Sequence, residues 1–131
     1  MKKITLILGL ILATLSGFSQ EPTKLVTYKN CVGYWDNAKK AYDFQPYSYA
    51  KITFTFSGDY IIGDDAAHSV YRVVNRLPDK NVGGPKVISA ECTDEKNVSC
   101  TFGIMTPADC RPSTIGIIYE GYMFMYVIEQ E

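Results

Sequence analysis

The stretch Lys86–Thr106, KVISAECTDEKNVSCTFGIMT, decides the fold. Ile88, Ala90 and Cys92 alternate with Ser89 and Glu91, and Cys100, Phe102 and Ile104 alternate with Thr101 and Gly103. Alternation with a period of two marks strands that bury one face. Glu95-Lys96-Asn97 supplies the turn between them, with Asn97 last because asparagine tolerates positive φ. The hairpin this predicts sets Cys92 opposite Cys100, Ala90 opposite Phe102 and Ile88 opposite Ile104, all on one face.

The same period runs outward in both directions. Ile52, Phe54 and Phe56 alternate with Thr53, Thr55 and Ser57. A three-residue loop, Ser57-Gly58-Asp59, would pair Phe56 with Tyr60 and Phe54 with Ile62. Ser69 to Asn75 reads as the next strand, and Pro78–Pro85 (PDKNVGGP) as a breaker-rich loop. The last hairpin, Thr114 to Ile128, turns at Glu120-Gly121. Its one face carries Ile115, Ile117, Tyr119, Tyr122, Phe124 and Tyr126, and its other Gly116, Ile118, Met123, Met125 and Val127. Both faces are apolar, so one is expected to meet more protein, a ligand or a partner. Before Tyr47, Lys24 to Cys31 suits a strand, and Asp36 is expected to cap a short helix over Asn37 to Tyr42, near residues 36–42. Short connections make this an all-β, antiparallel meander of seven or eight strands. Such a meander closes into a small barrel, the alternative being a β-sandwich.

The N-terminus reads differently. Met1-Lys2-Lys3 is cationic, Ile4 to Leu15 is apolar, and Gly17-Phe18-Ser19 places small residues where signal peptidase needs them. Residues 1–19 are therefore expected to be a signal peptide, cleaved near 19/20 or 20/21, with 20–131 forming one β domain secreted or held in the periplasm. The apolar run is too short for a stable membrane anchor. The signal takes two of thirteen basic residues and none of fourteen acidic ones, so the mature chain carries a net charge of −3. No basic patch favours nucleic acid.

Four cysteines in an exported chain imply disulfides. Of the three pairings four cysteines allow, the hairpin register favours Cys92 with Cys100, which leaves Cys31 with Cys110. No C-x-x-C exists for zinc or redox chemistry, so no metal and no cofactor are expected. Asp64, Asp65 and His68 form D-D-x-x-H around the only histidine. A solvated turn explains them better than a metal site, which normally recruits several imidazoles or thiolates. No catalytic residue stands out, and the chain leans away from being an enzyme.

Tyr34, Trp35, Tyr42, Phe44, Tyr47 and Tyr49 crowd into sixteen residues. Exposed, they would suit stacking on sugars or anchoring a protein. The favoured expectation is that they are buried as a lid over the barrel. Gly33-Tyr34-Trp35, a G-x-W ahead of an antiparallel meander, resembles the start of lipocalin-like (calycin) barrels among small secreted bacterial proteins. The resemblance implies a Trp packed across the barrel end and a small apolar ligand inside. Trp35, Tyr49, Phe54, Phe102, Phe124 and Tyr126 would line such a ligand. The function expected is thus a non-enzymatic binding module for a small apolar or amphipathic ligand. The alternative is a protein–protein interaction or inhibitor-like module that presents Ile118, Met123 and Met125 of the C-terminal hairpin.

Overall fold

The computed structural model describes residues 23–64, 69–81, 86–107 and 112–129. The signal segment, Asp65, His68 and Cys110 lie outside them. Ten strands follow in chain order: β1 (Thr23–Asp36), β2 (Ala41–Phe44), β3 (Ile52–Ser57), β4 (Tyr60–Gly63), β5 (Val70–Arg76), β6 (Lys80–Asn81), β7 (Lys86–Asp94), β8 (Ser99–Thr106), β9 (Thr114–Tyr119) and β10 (Tyr122–Ile128). The meander β3-β4-β5-β7-β8-β9-β10 is antiparallel throughout, and β1 inserts between β10 and β3 to close it. The result is an eight-stranded closed barrel, with β2 paired to β1 outside the ring and β6 a short extension on β7.

β1 does the closing. Its residues Thr23–Thr27 pair with β3 and Thr27–Tyr34 with β10, so Thr27 faces both Ile52 and Ile128. Thr27 is fully buried and its hydroxyl donates to the Ile52 carbonyl at 2.9 Å, satisfying a polar group that water cannot reach. Glu129 N–H adds a bond to the Val26 carbonyl at 2.8 Å.

The interior is a packed core. Phe54, Phe56, Ile61, Ile88, Phe102, Ile104, Ile115 and Ile117 have almost no exposure. Phe102 is its hub, with ring centroids of Phe56, Phe54 and Tyr71 at 5.7, 6.0 and 6.3 Å. Eight strands make an interior that side chains can fill, and here they do.

The expected β7–β8 register holds: Cys92 faces Cys100, Ala90 faces Phe102 and Ile88 faces Ile104. Asn97 takes φ 62°. Asp94 fastens that turn, its Oδ1 accepting from Lys96 and Val98 N–H (both 2.9 Å) and its Oδ2 from Tyr119 O–H (3.0 Å). The β9–β10 tip at Glu120-Gly121 also matches, with Tyr119 opposite Tyr122.

Two expectations are corrected. β3 and β4 join through Gly58-Asp59 alone, so Phe56 faces Ile61, and Tyr60 and Ile62 point out. Gly58 at φ 59° permits the tighter loop, whose twist suits a hairpin. No helix forms over 36–42: Asn37–Lys40 is a turn, and Ala41 already belongs to β2. Asp36 does cap, its Oδ1 accepting from Ala38 and Lys39 N–H at 2.9 and 3.2 Å, but Lys40 at φ 55° turns the chain back before a helix can grow.

The three bonds to Asp94 set a measurable expectation. Burial alone would raise its carboxyl, but the hydrogen bonds from Val98, Tyr119 and Lys96 outweigh it and hold the group below its usual range. A depressed carboxylate stabilises the fold above its unfolded pKa of about 3.9 and loses that contribution as pH falls through the folded value. Asp94→Ala should cost about 2 kcal/mol in urea unfolding at pH 7, and the gap from the wild type should shrink as pH falls below the unfolded pKa and through the folded value. A gap that stays constant with pH would show that the carboxylate's charge contributes nothing.

Candidate functional site

Of the six residues expected to line an internal ligand, three are brought together inside the barrel and Trp35 and Tyr49 are not. Phe54, Phe102 and Tyr126 are core, the Phe54 ring lying 4.9 Å from Tyr126 and 6.0 Å from Phe102. Phe124 is half-buried in a cluster with Tyr119 and Tyr122, whose rings stack at 5.1 Å. Tyr119 donates to Asp94, and burial first, then that bond, push its phenol upward. Trp35 and Tyr49 lie outside the barrel, 41% and 76% exposed.

The aromatic cluster is therefore no lid. β1 outruns the ring and carries β2 on its free side as an arm. Trp35 faces Tyr42, their rings edge-to-face at 5.1 Å, and Trp35 Nε1 donates to Asn37 Oδ1 at 2.7 Å. This placement differs from a Trp packed across a barrel end. Phe44 pairs with Gly33 and its ring covers that glycine; a Cβ there would come within 2.8 Å of the ring. The absence of a side chain at position 33 is what lets Phe44 lie flat on the sheet. Phe44 is still 48% exposed, because nothing among the described residues covers its outer side.

A row of direct partners extends from the arm across the outside of the barrel. Phe44 pairs with Gly33, Gly33 with Met123, and Met123 with Ile118. Directly paired residues share a face. Met125, one pleat along, pairs with Gly116, and the Met123 methyl reaches over to that same glycine, 3.3 Å from where a Cβ would stand. The surface expected from Ile118, Met123 and Met125 thus lies on the outer face, with Ile118 37% exposed and both methionines half-buried. The opposite face of the hairpin, Ile115, Ile117 and Tyr126, is core.

A separate groove of about 290 Å³ opens on the outside, lined by Tyr28, Lys29, Tyr47, Met105, Pro107 and Val127.

The expected Cys92–Cys100 disulfide is not formed. Both thiols are free and buried, and Cys92 turns along its own strand to donate to the Ala90 carbonyl at 3.8 Å instead of reaching across. Burial, then the neighbouring Cys100, push Cys92 up to about 12, which keeps it protonated at neutral pH. Cys31 is also free and buried, raised by burial against the pull of Lys29; its expected partner lies outside the described residues.

Among the described residues, no three His, Cys, Asp or Glu side chains converge on a metal-sized site. No family model matches the chain, and neither a curated protein nor a solved structure is detectably similar to it.

The position of Trp35 is checked by its fluorescence, which no other tryptophan obscures. Emission should be red-shifted and readily quenched by acrylamide in the folded protein. Blue-shifted, unquenched emission would place the indole in an apolar enclosure and refute the exposed arm.

Proposed function

We propose that this chain is a non-enzymatic binding module that docks a protein partner on its outer surface, through the β1–β2 arm and the adjoining face of β9–β10. The carrying observation is the unbroken row Phe44–Gly33–Met123–Ile118, flanked by Trp35 and Tyr42. Exposed aromatics beside methionine are the composition of interface centres: rings supply area at low entropic cost, and thioethers adapt to irregular contours. A ligand held inside the barrel, as the lipocalin-like reading implies, has the filled Phe54–Phe102–Tyr126 core against it.

A photo-crosslinking residue in place of Phe44 or Ile118 should capture one protein from the host's envelope, whereas the same residue in place of exposed Val74 on β5 should not. Phe44→Lys with Met123→Lys should abolish capture while leaving the thermal unfolding cooperative. Equal capture at all three positions, or capture that survives the folded double variant, would remove the reading.

The working compartment is the extracytoplasmic space, reached through the Met1–Ser19 signal. There the facing pair Cys92 and Cys100 would oxidise to a disulfide. Denaturing, non-reducing mass spectrometry of the exported protein should give a chain starting at Gln20 or Glu21, lighter by about 2 Da for each bond formed. An intact Met1 or a fully reduced mass would contradict the corresponding half of this expectation.

A further inference from the structure

β1 carries a bulge where it closes the barrel, and the bulge has a chemical consequence. Thr27 pairs with Ile128 and Lys29 with Val127, so Tyr28 is the extra residue. Strict alternation from the inward Thr27 would send Lys29 inward as well. The bulge turns it out, and bulges commonly re-aim a side chain in this way. Tyr28 and Lys29 therefore stand side by side on the outer surface.

A second segment completes the arrangement. Asn30 and Ser48 exchange backbone bonds, Asn30 N–H to the Ser48 carbonyl at 2.9 Å and Ser48 N–H to the Asn30 carbonyl at 2.7 Å. That bridge pins Tyr47 and Tyr49 against β1. The Lys29 ammonium lies 4.3 Å from the Tyr47 ring centroid, 5.5 Å from that of Tyr28 and 6.0 Å from that of Tyr49. Ring faces hold a cation without neutralising it. The ion pairs among the described residues, Lys39–Asp43 and Arg76–Asp79, leave Lys29 without a carboxylate. The held ammonium stands on the groove whose remaining walls include Met105, Pro107, Pro112 and Val127.

We propose that this groove is a binding site for a small amphipathic carboxylate, its anionic head on Lys29 Nζ and its apolar body between Met105, Val127 and the tyrosine rings. Charge complementarity sets the head, and the apolar walls set the tail. A volume of about 290 Å³ lies at the low end for small-molecule sites, which fits a ligand of roughly ten non-hydrogen atoms. The site is distinct from the aromatic arm and stands without the protein-docking reading.

The test is a methyl-NMR titration of the full mature protein with sodium octanoate, with octan-1-ol as the uncharged comparator. Octanoate should saturate on the order of 1 mM or below, with the largest shifts at Met105 and Val127, and octan-1-ol should bind at least tenfold more weakly. Lys29→Met, which keeps the apolar stem, should lose at least tenfold in affinity, and Lys29→Arg should retain it. No saturable octanoate binding, or equal binding of octan-1-ol, overturns the proposal even if the Lys29→Met variant fails to fold. Tighter binding of a peptide ending in a free leucine carboxylate than of octanoate would overturn the small-molecule assignment in favour of protein C-termini.

Discussion

Everything in this molecule depends on one strand satisfying two neighbours. A meander of seven strands has two open edges, each a row of unpaired amides and carbonyls. β1 removes both by pairing with β3 through its first residues and with β10 through the next. Thr27 sits where the two ladders meet, and its hydroxyl bond to the Ile52 carbonyl is the price of burying a polar side chain there. Once the ring is shut, the inward residues have no exit, and the rings around Phe102 pack against one another inside it.

Closure also explains why the interesting chemistry lies outside. β1 is fourteen residues long, more than the ring consumes. Its surplus becomes the arm that carries Trp35 and accepts β2, and the bulge at Tyr28, where the strand changes partners, turns Lys29 outward. Both candidate surfaces thus follow from the same geometric need: a strand that serves two neighbours must bend, and must end somewhere.

Much of the barrel was legible in the sequence because its hairpins declare themselves. β7–β8 has alternation on both strands and a clear tip at Asn97, so one register alone buries its apolar set; β9–β10, apolar on both faces, is placed by its Glu120-Gly121 tip. β3–β4 misled because Tyr60-Ile61-Ile62 offers an apolar residue in either register, and only the loop length, set by Gly58, chooses between them. The arm misled for a different reason. Aromatic residues have the same composition signature whether buried as a lid or displayed, and burial is decided by β2 pairing outside the ring, which no local pattern reports. The groove was invisible: Lys29, Tyr47, Met105 and Val127 come from four separate segments, and the bulge that aligns them breaks the very periodicity by which strands are found.

The pairing of Thr27 with Ile128 joins residues near opposite ends of the chain. Forming it closes a loop of nearly the whole domain, the costliest kind of contact to make early. Hairpins such as β7–β8 can zip locally, but the cylinder cannot shut until its last strand is present. A chain made from its N-terminus is therefore an open sheet until β10 has been added. It becomes a closed cylinder only when β10 pairs with β1. Topology here acts as a timer, and the strand that sets it is the first one made.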